Sequence, residues 1–160
     1  MILYLLRHGE AEPKSSSKRD EERRLSPEGI LQLRKTLNLA KHLDASVDRV
    51  ISSPVLRAKE SSEIVAEMLQ AKEMLVSNSL EPESTPSEVY DELSKCSLND
   101  KVALVTHQPL FSNLLQDLLG IEVNVNMKAG SLARIDVQGY PKSSSGTLVY
   151  LFSAEPANQT

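Results

Sequence analysis

The sequence predicts an α/β protein built in three layers, with a mostly parallel central sheet, an antiparallel edge and helices on both faces. Two observations predict it. Short, wholly apolar runs such as Ile2–Leu6 and Val102–Val105 have the character of strands buried on both sides. They alternate with longer stretches in which apolar residues recur at helical spacing, the order that sets helices over a sheet.

Ile2-Leu3-Tyr4-Leu5-Leu6 is the first strand, and it stops at Arg7-His8. From Lys14 to Arg24 the chain is almost entirely Lys, Ser, Arg, Asp and Glu, which reads as a solvated, mobile loop whose opposite charges nearly cancel. Ser26 is placed to cap a helix, Pro27 fits its first turn, and Ile30, Leu33, Leu37 and Ala40 follow on one face. His42 falls near the end of that helix, where its charge suits the dipole. Val47 to Ser52, centred on Val50-Ile51, is a second strand. Ser53-Pro54 is expected to open a second helix as Ser26-Pro27 opens the first, with Leu56, Ile64, Val65, Met68 and Leu69 for the core. Met74 to Val76 is a short third strand.

Thr85-Pro86-Ser87-Glu88 has the form of a capping box and starts a third helix that ends near Leu93 to Lys95. Lys101 to Thr106 is another buried strand and runs into His107-Gln108-Pro109. Leu110, Phe111, Leu114, Leu115 and Leu118 then trace a fourth helix up to Gly120. Two last strands, near Ser131 to Val137 and Thr147 to Phe152, are joined by a turn rich in Gly, Pro and Ser. No repeat or linker breaks the pattern, so residues 1–160 read as one domain.

Composition narrows the function. The net charge of −4 argues against a nucleic-acid backbone as partner, and six aromatics without tryptophan supply no stacking platform. No apolar stretch approaches membrane-spanning length, which makes the cytoplasm the expected location. A single cysteine, Cys96, excludes an internal disulfide. It also excludes a cysteine phosphatase, which needs arginine six positions after the nucleophile; Val102 stands there. Three histidines and one cysteine form no ligand cluster, so no metal or other cofactor is expected.

In open α/β sheets ligands bind beyond the carboxyl ends of the strands. Three strands here end in strongly polar groups: Arg7-His8-Gly9-Glu10, Ser52-Ser53-Pro54 with Arg57 a helical turn later, and His107-Gln108. Parallel strands would bring all three to one rim. Such a rim suits a phosphoryl group, which needs positive charge on its equatorial oxygens and a nucleophile in line with the leaving group. Arg7 and Arg57 can fork onto phosphate oxygens, and a neutral imidazole is a competent nucleophile. The first amides of the helix after His107 offer a further anion site, and Gly9 would let the backbone approach the substrate.

Arg7-His8-Gly9-Glu10 directly after the first strand resembles the signature of the histidine phosphatase, or phosphoglycerate mutase-like, superfamily. Ser53-Pro54 with Arg57-Ala58, and His107 after a later strand, are similar to its second and third motifs in the same order. The short chain, Arg23-Arg24-Leu25-Ser26 with Gly29, and Thr106-His107-Gln108-Pro109-Leu110 resemble the SixA-type phosphohistidine phosphatases, with Arg24 in the place of a proline. The resemblance implies that His8 attacks phosphorus and forms a phosphohistidine that water hydrolyses, while Arg7, Arg57 and His107 hold the phosphoryl oxygens. Arg23 would reach the pocket mouth. Larger members carry an acid for the leaving group; Glu81 and Glu83 lie in the corresponding region, outside a clear motif, and read first as solvated carboxylates. The implied substrate is a phosphorylated histidine on a phosphotransfer protein. The alternatives are a small phosphorylated metabolite, or binding of phosphohistidine without turnover. The oligomeric state is not legible in the sequence.

Overall fold

In the computed structural model, which describes residues 1–125 and 127–155, six strands and four helices follow one another in the predicted order. They are β1 (Ile2–Arg7), α1 (Pro27–His42), β2 (Arg49–Ser52), α2 (Leu56–Met68), β3 (Glu73–Val76), α3 (Pro86–Leu93), β4 (Lys101–Thr106), α4 (Leu110–Leu119), β5 (Leu132–Val137) and β6 (Gly146–Phe152). Single 3-10 turns occupy Asp20–Glu22 and Asn78–Leu80. The strand order is β3-β2-β4-β1-β5-β6. The pairs β3-β2, β2-β4 and β4-β1 are parallel, whereas β5 and β6 add the antiparallel edge.

Because side chains alternate across a strand, a continuous apolar run feeds two cores at once. Leu3 and Leu5 of β1, with Val102 and Leu104 of β4, bury against Val89 and Leu93 of α3 and Phe111, Leu114, Leu115 and Leu118 of α4. Tyr4 and Leu6, with Ala103 and Val105, bury on the opposite face against Leu33, Leu37 and Ala40 of α1 and Ala58, Ile64 and Val65 of α2. Nearly all these side chains are within a few percent of fully buried, and each apolar one contributes about 1.5–3 kcal/mol relative to exposure. The three layers follow directly.

The caps obey the sequence where a helix is punctuated at its own start. Ser26 Oγ accepts from Gly29 N–H at 3.0 Å, and Thr85 and Glu88 close the capping box on α3. The expectation for α2 is corrected: Ser53-Pro54 does not open it. Val55 is the N-cap and the helix starts at Leu56, which leaves Ser53 beside the strand ends. The Lys14–Arg24 loop is fastened to the body of the protein. A bridge between Ala11 and Leu25, with Glu12 N–H donating to Arg24 O at 2.8 Å, closes its base. Arg24, the residue in place of proline, pairs with Glu60 of α2 at 3.3 Å.

Gly29, in the first turn of α1, lies so close to the chain after β1 that an added Cβ would stand 2.2 Å from Glu10 O. No side chain fits there. Among the described residues, no helix is long and apolar enough to cross a membrane.

Candidate active site

Sheet register builds the site. Arg7 on β1 pairs with Thr106 on β4, and Ser52 on β2 pairs with Val105 on the other side of β4. The ladders continue one residue further: His8 N–H donates to Thr106 O and Ser53 N–H to Val105 O, both at 3.0 Å. His8, Ser53 and His107 therefore leave the sheet at one level. Arg57 arrives in the first turn of α2, directly after β2. The four residues singled out from sequence, Arg7, His8, Arg57 and His107, come together at this rim.

His8 is 8% exposed. Its Nδ1 lies 2.7 Å from Gly9 O, and a carbonyl can only accept, so the proton of the neutral ring sits on Nδ1. Nε2 is left as a lone pair, 3.3 Å from Arg57 Nε, which donates to it. Burial first, and then the charges of Arg57, Arg7 and Arg23, lower the His8 pKa to about 4, against a smaller upward pull from the Gly9 carbonyl. An unprotonated Nε2 beside a guanidinium is chemically fit to attack an electron-poor phosphorus.

His107 is tilted against His8, ring centroids 4.9 Å apart, and its Nε2 shares a 2.7 Å hydrogen bond with Ser53 Oγ. Its Nδ1 is buried and has no partner among the described residues. Burial, His8, Arg57 and Arg7 lower its pKa to about 3. Arg7 donates from Nη1 to Met127 O, while its Nε is also buried and unpaired among the described residues. Desolvation, followed by the repulsion of Arg57, lowers the Arg7 pKa. Two guanidiniums thus share a small region with two neutral imidazoles, an arrangement that favours an anion.

Several contacts were not legible in the sequence. Ser61 Oγ accepts from Gly9 N–H at 3.0 Å and donates to Arg57 O at 2.7 Å, tying the β1 end to α2. Asp20, on the 3-10 turn of the loop, accepts from Arg57 Nη2 at Oδ2 (3.1 Å) and from Arg57 Nη1 at its main-chain oxygen (2.9 Å). Arg23 donates to Asp20 Oδ1 at 2.9 Å and to Glu12 O at 2.8 Å, so it stands at the mouth of the site. A run of Asp and Glu in a charged loop gave no signal for Asp20. Ser53 has one, its place at a strand end, but Ser-Pro there has the same form as a helix cap.

Two expectations meet the packing at the rim. At the start of α4, Pro109 has no N–H, Phe111 N–H donates to His107 O and Ser112 N–H donates to Gln108 Oε1, so these positions offer an anion no free amide. At Gly9 an added Cβ would stand 3.1 Å from Leu25 Cδ2 and 3.3 Å from Gly29 O, so the missing side chain also serves internal packing. Glu81 is half-buried and Glu83 exposed. Glu81 follows Leu80, whose carbonyl accepts from Thr106 Oγ1 at 2.7 Å, so both glutamates belong to the segment over the β4 end. His42 is exposed on α1, with Nδ1 2.8 Å from Asn38 O, and Cys96 is buried in the core under α3 and α4; neither is near the rim groups.

Residues 3–81 match the model of the histidine phosphatase superfamily (branch 1). Among solved structures, the protein histidine phosphatase SixA complexed with tungstate superposes with a TM-score of 0.82 at 24% identity, covering 96% of this chain and 97% of that one. A protein assigned as the phosphohistidine phosphatase SixA of Nakamurella multipartitia gives 0.79 at 18% identity, covering 98% and 96%. A protein assigned as an α-ribazole-5'-phosphate phosphatase of Escherichia coli gives 0.70 at 18% identity, covering 94% and 96%. At these identities the likeness is one of fold, the phosphoglycerate mutase-like sandwich. No curated protein matches the sequence.

Proposed function

We propose that the chain is a member of the histidine phosphatase superfamily, whose model its residues 3–81 match, and within it a phosphohistidine phosphatase acting on a phosphorylated protein in the cytoplasm. His8 Nε2 forms a bond to phosphorus as the P–N bond of the substrate breaks, and the electron pair leaves on the substrate imidazole, which carries a proton. Water then attacks the phosphohistidine at His8; its oxygen bonds to phosphorus, the pair returns to Nε2, and the proton passes to solvent. Arg7 and Arg57 neutralise the phosphoryl oxygens in both steps, and His107 bounds the same pocket.

The observation that supports this reading is the shortness of the connections that follow β2 and β4 at the rim. After β2 and β4 the chain enters the next helix through residues 53–55 and 107–109 alone, and the longer connections at that end are 8–26, 77–85 and 120–131. Among the described residues these connections carry no helix longer than a single 3-10 turn, which supports access for a histidine on the surface of a folded protein. The full-length superposition on SixA supports the same class. A protonated imidazole is a good leaving group, and the mechanism needs no strong acid.

A second reading, a phosphomonoesterase for a small metabolite, is favoured by one observation: Glu81 and Glu83 stand in the segment that Thr106 ties to the rim, and either would supply the proton an alkoxide requires. The two readings separate in one experiment, dephosphorylation of a histidine phosphotransfer domain beside an aryl phosphate, with wild type and His8→Ala. Fast, His8-dependent loss of phosphohistidine with feeble aryl phosphate turnover is expected. Strong aryl phosphate turnover with phosphohistidine untouched transfers the assignment to the metabolite. Inactivity on both substrates leaves a phosphohistidine-binding protein.

A further inference from the structure

Asp20 makes the most complete set of contacts at the site that the proposed mechanism does not use. Its Oδ2 lies 3.1 Å from Arg57 Nη2, its Oδ1 lies 2.9 Å from Arg23 Nε, and its main-chain oxygen accepts from Arg57 Nη1 at 2.9 Å. Arg57 thus points Nε at His8 and both terminal nitrogens at one residue of the Lys14–Arg24 loop. A phosphoryl group in line with His8 Nε2 would need those terminal nitrogens, because the planar guanidinium presents its donors as a fork to paired oxygens.

We propose that Asp20 is a carboxylate gate that sets which anions the site accepts: it occupies the Arg57 fork in the free protein, and the phosphoryl oxygens of the substrate displace it. The inference rests on the reading of Arg57 as a phosphoryl-binding group. Only an anion that holds the fork better than a carboxylate gains entry, so a phosphoryl dianion is admitted and singly charged carboxylates or sulfate esters are turned away.

Three features favour such an exchange. The Asp20 side chain is half exposed, and its 3-10 turn buries no residue, so release sacrifices little packing. Although desolvation pulls its carboxyl upward, Arg57 and Arg23 outweigh it and hold the pKa below the ordinary 3.8, so the competitor is charged at neutral pH. A cavity of about 140 Å³ beside it, lined by Lys14, Ser15, Lys18, Asp20 and Arg23, offers the displaced carboxylate a place near the Lys14 ammonium and near that of Lys18, which is paired with Glu12 at 3.4 Å.

Orthophosphate binding to the full chain, measured by calorimetry, tests the gate without any assumption about the substrate. Asp20→Ala and Asp20→Asn should bind phosphate about two- to fivefold more tightly than wild type, the range a partly exposed ion pair supports. Glu22→Gln, a charge removed from the same turn but paired with exposed Arg19, should bind as wild type does. In the wild type, exchange of the Arg23 amide, bonded to Asp20 O, should quicken when phosphate is added. Unchanged or weaker phosphate binding by Asp20→Ala overturns the gate, as does equal tightening by Glu22→Gln or slower exchange at Arg23. Those results leave the functional reading standing so long as Arg57→Ala still abolishes phosphate binding. Phosphate binding indifferent to Arg57→Ala overturns the reading of the site, and the gate with it.

Discussion

Acid should destabilise this protein through its two buried imidazoles. His8 and His107 are 8% and 2% exposed, and their pKa values fall from the ordinary 6.5 to about 4 and about 3. A histidine depressed in the folded state contributes stability that is complete above its unfolded pKa and is lost as the pH falls toward the folded one. At about pH 5 the unfolded chain binds close to one proton at each ring while the folded chain binds almost none. The difference is about 2 kcal/mol per histidine, or about 4 kcal/mol for the pair, against a whole-domain stability on the order of 5–15 kcal/mol. The figure is insensitive to the folded pKa values as long as both stay below 5, so repulsion between rings 4.9 Å apart does not reduce it. Asp20 and Asp48, whose carboxyls are held below 3.8, contribute their own losses mainly at lower pH. Chemical unfolding at about pH 7.5 and about pH 5, followed by far-ultraviolet circular dichroism, measures the loss. The His8→Asn/His107→Asn double variant should show most of it abolished. A wild type that loses less than about 1 kcal/mol, or a double variant that loses as much as the wild type, would refute the reasoning.

Two further outcomes are expected. Gly29→Ala replaces a poor helix former with the best one, yet its Cβ would meet Glu10 O at 2.2 Å, so the fold should lose about 2 kcal/mol or more. A melting temperature that rises instead would show that the α1–β1 junction yields freely. Arg57→Lys keeps the charge but removes the fork and the 3.3 Å contact to His8 Nε2, and should slow His8-dependent phosphate release about a hundredfold. A rate within about twofold of wild type in single-turnover assays would take the fork out of the chemistry.

The sequence by itself determined the layers. Runs such as Leu3-Tyr4-Leu5-Leu6 and Val102-Ala103-Leu104-Val105 can be buried only if both faces of the sheet are covered, and the amphipathic stretches between them supply the cover. It also determined which strand ends are polar, and so which residues could meet. The local punctuation of α1 and α3 was legible because a cap bonds within its own turn. Ser53 shows the limit of that rule. It has the chemistry of a cap, but β4 lies beside it, and the imidazole of His107 takes its hydroxyl. The α4 amides show the same limit, since Gln108 satisfies one of them from inside.

What only the tertiary structure decided is the set of contacts between residues distant in the chain. Register places His8 level with His107, Ser61 fastens the β1 end to α2, and Asp20 crosses from a loop of mixed charge to Arg57. Periodicity and capping are properties of neighbours within one turn or one strand, and they carry no information about which charge in a polar loop meets which guanidinium. That choice is made only when the sheet has fixed the rim and closed the base of the loop beside it.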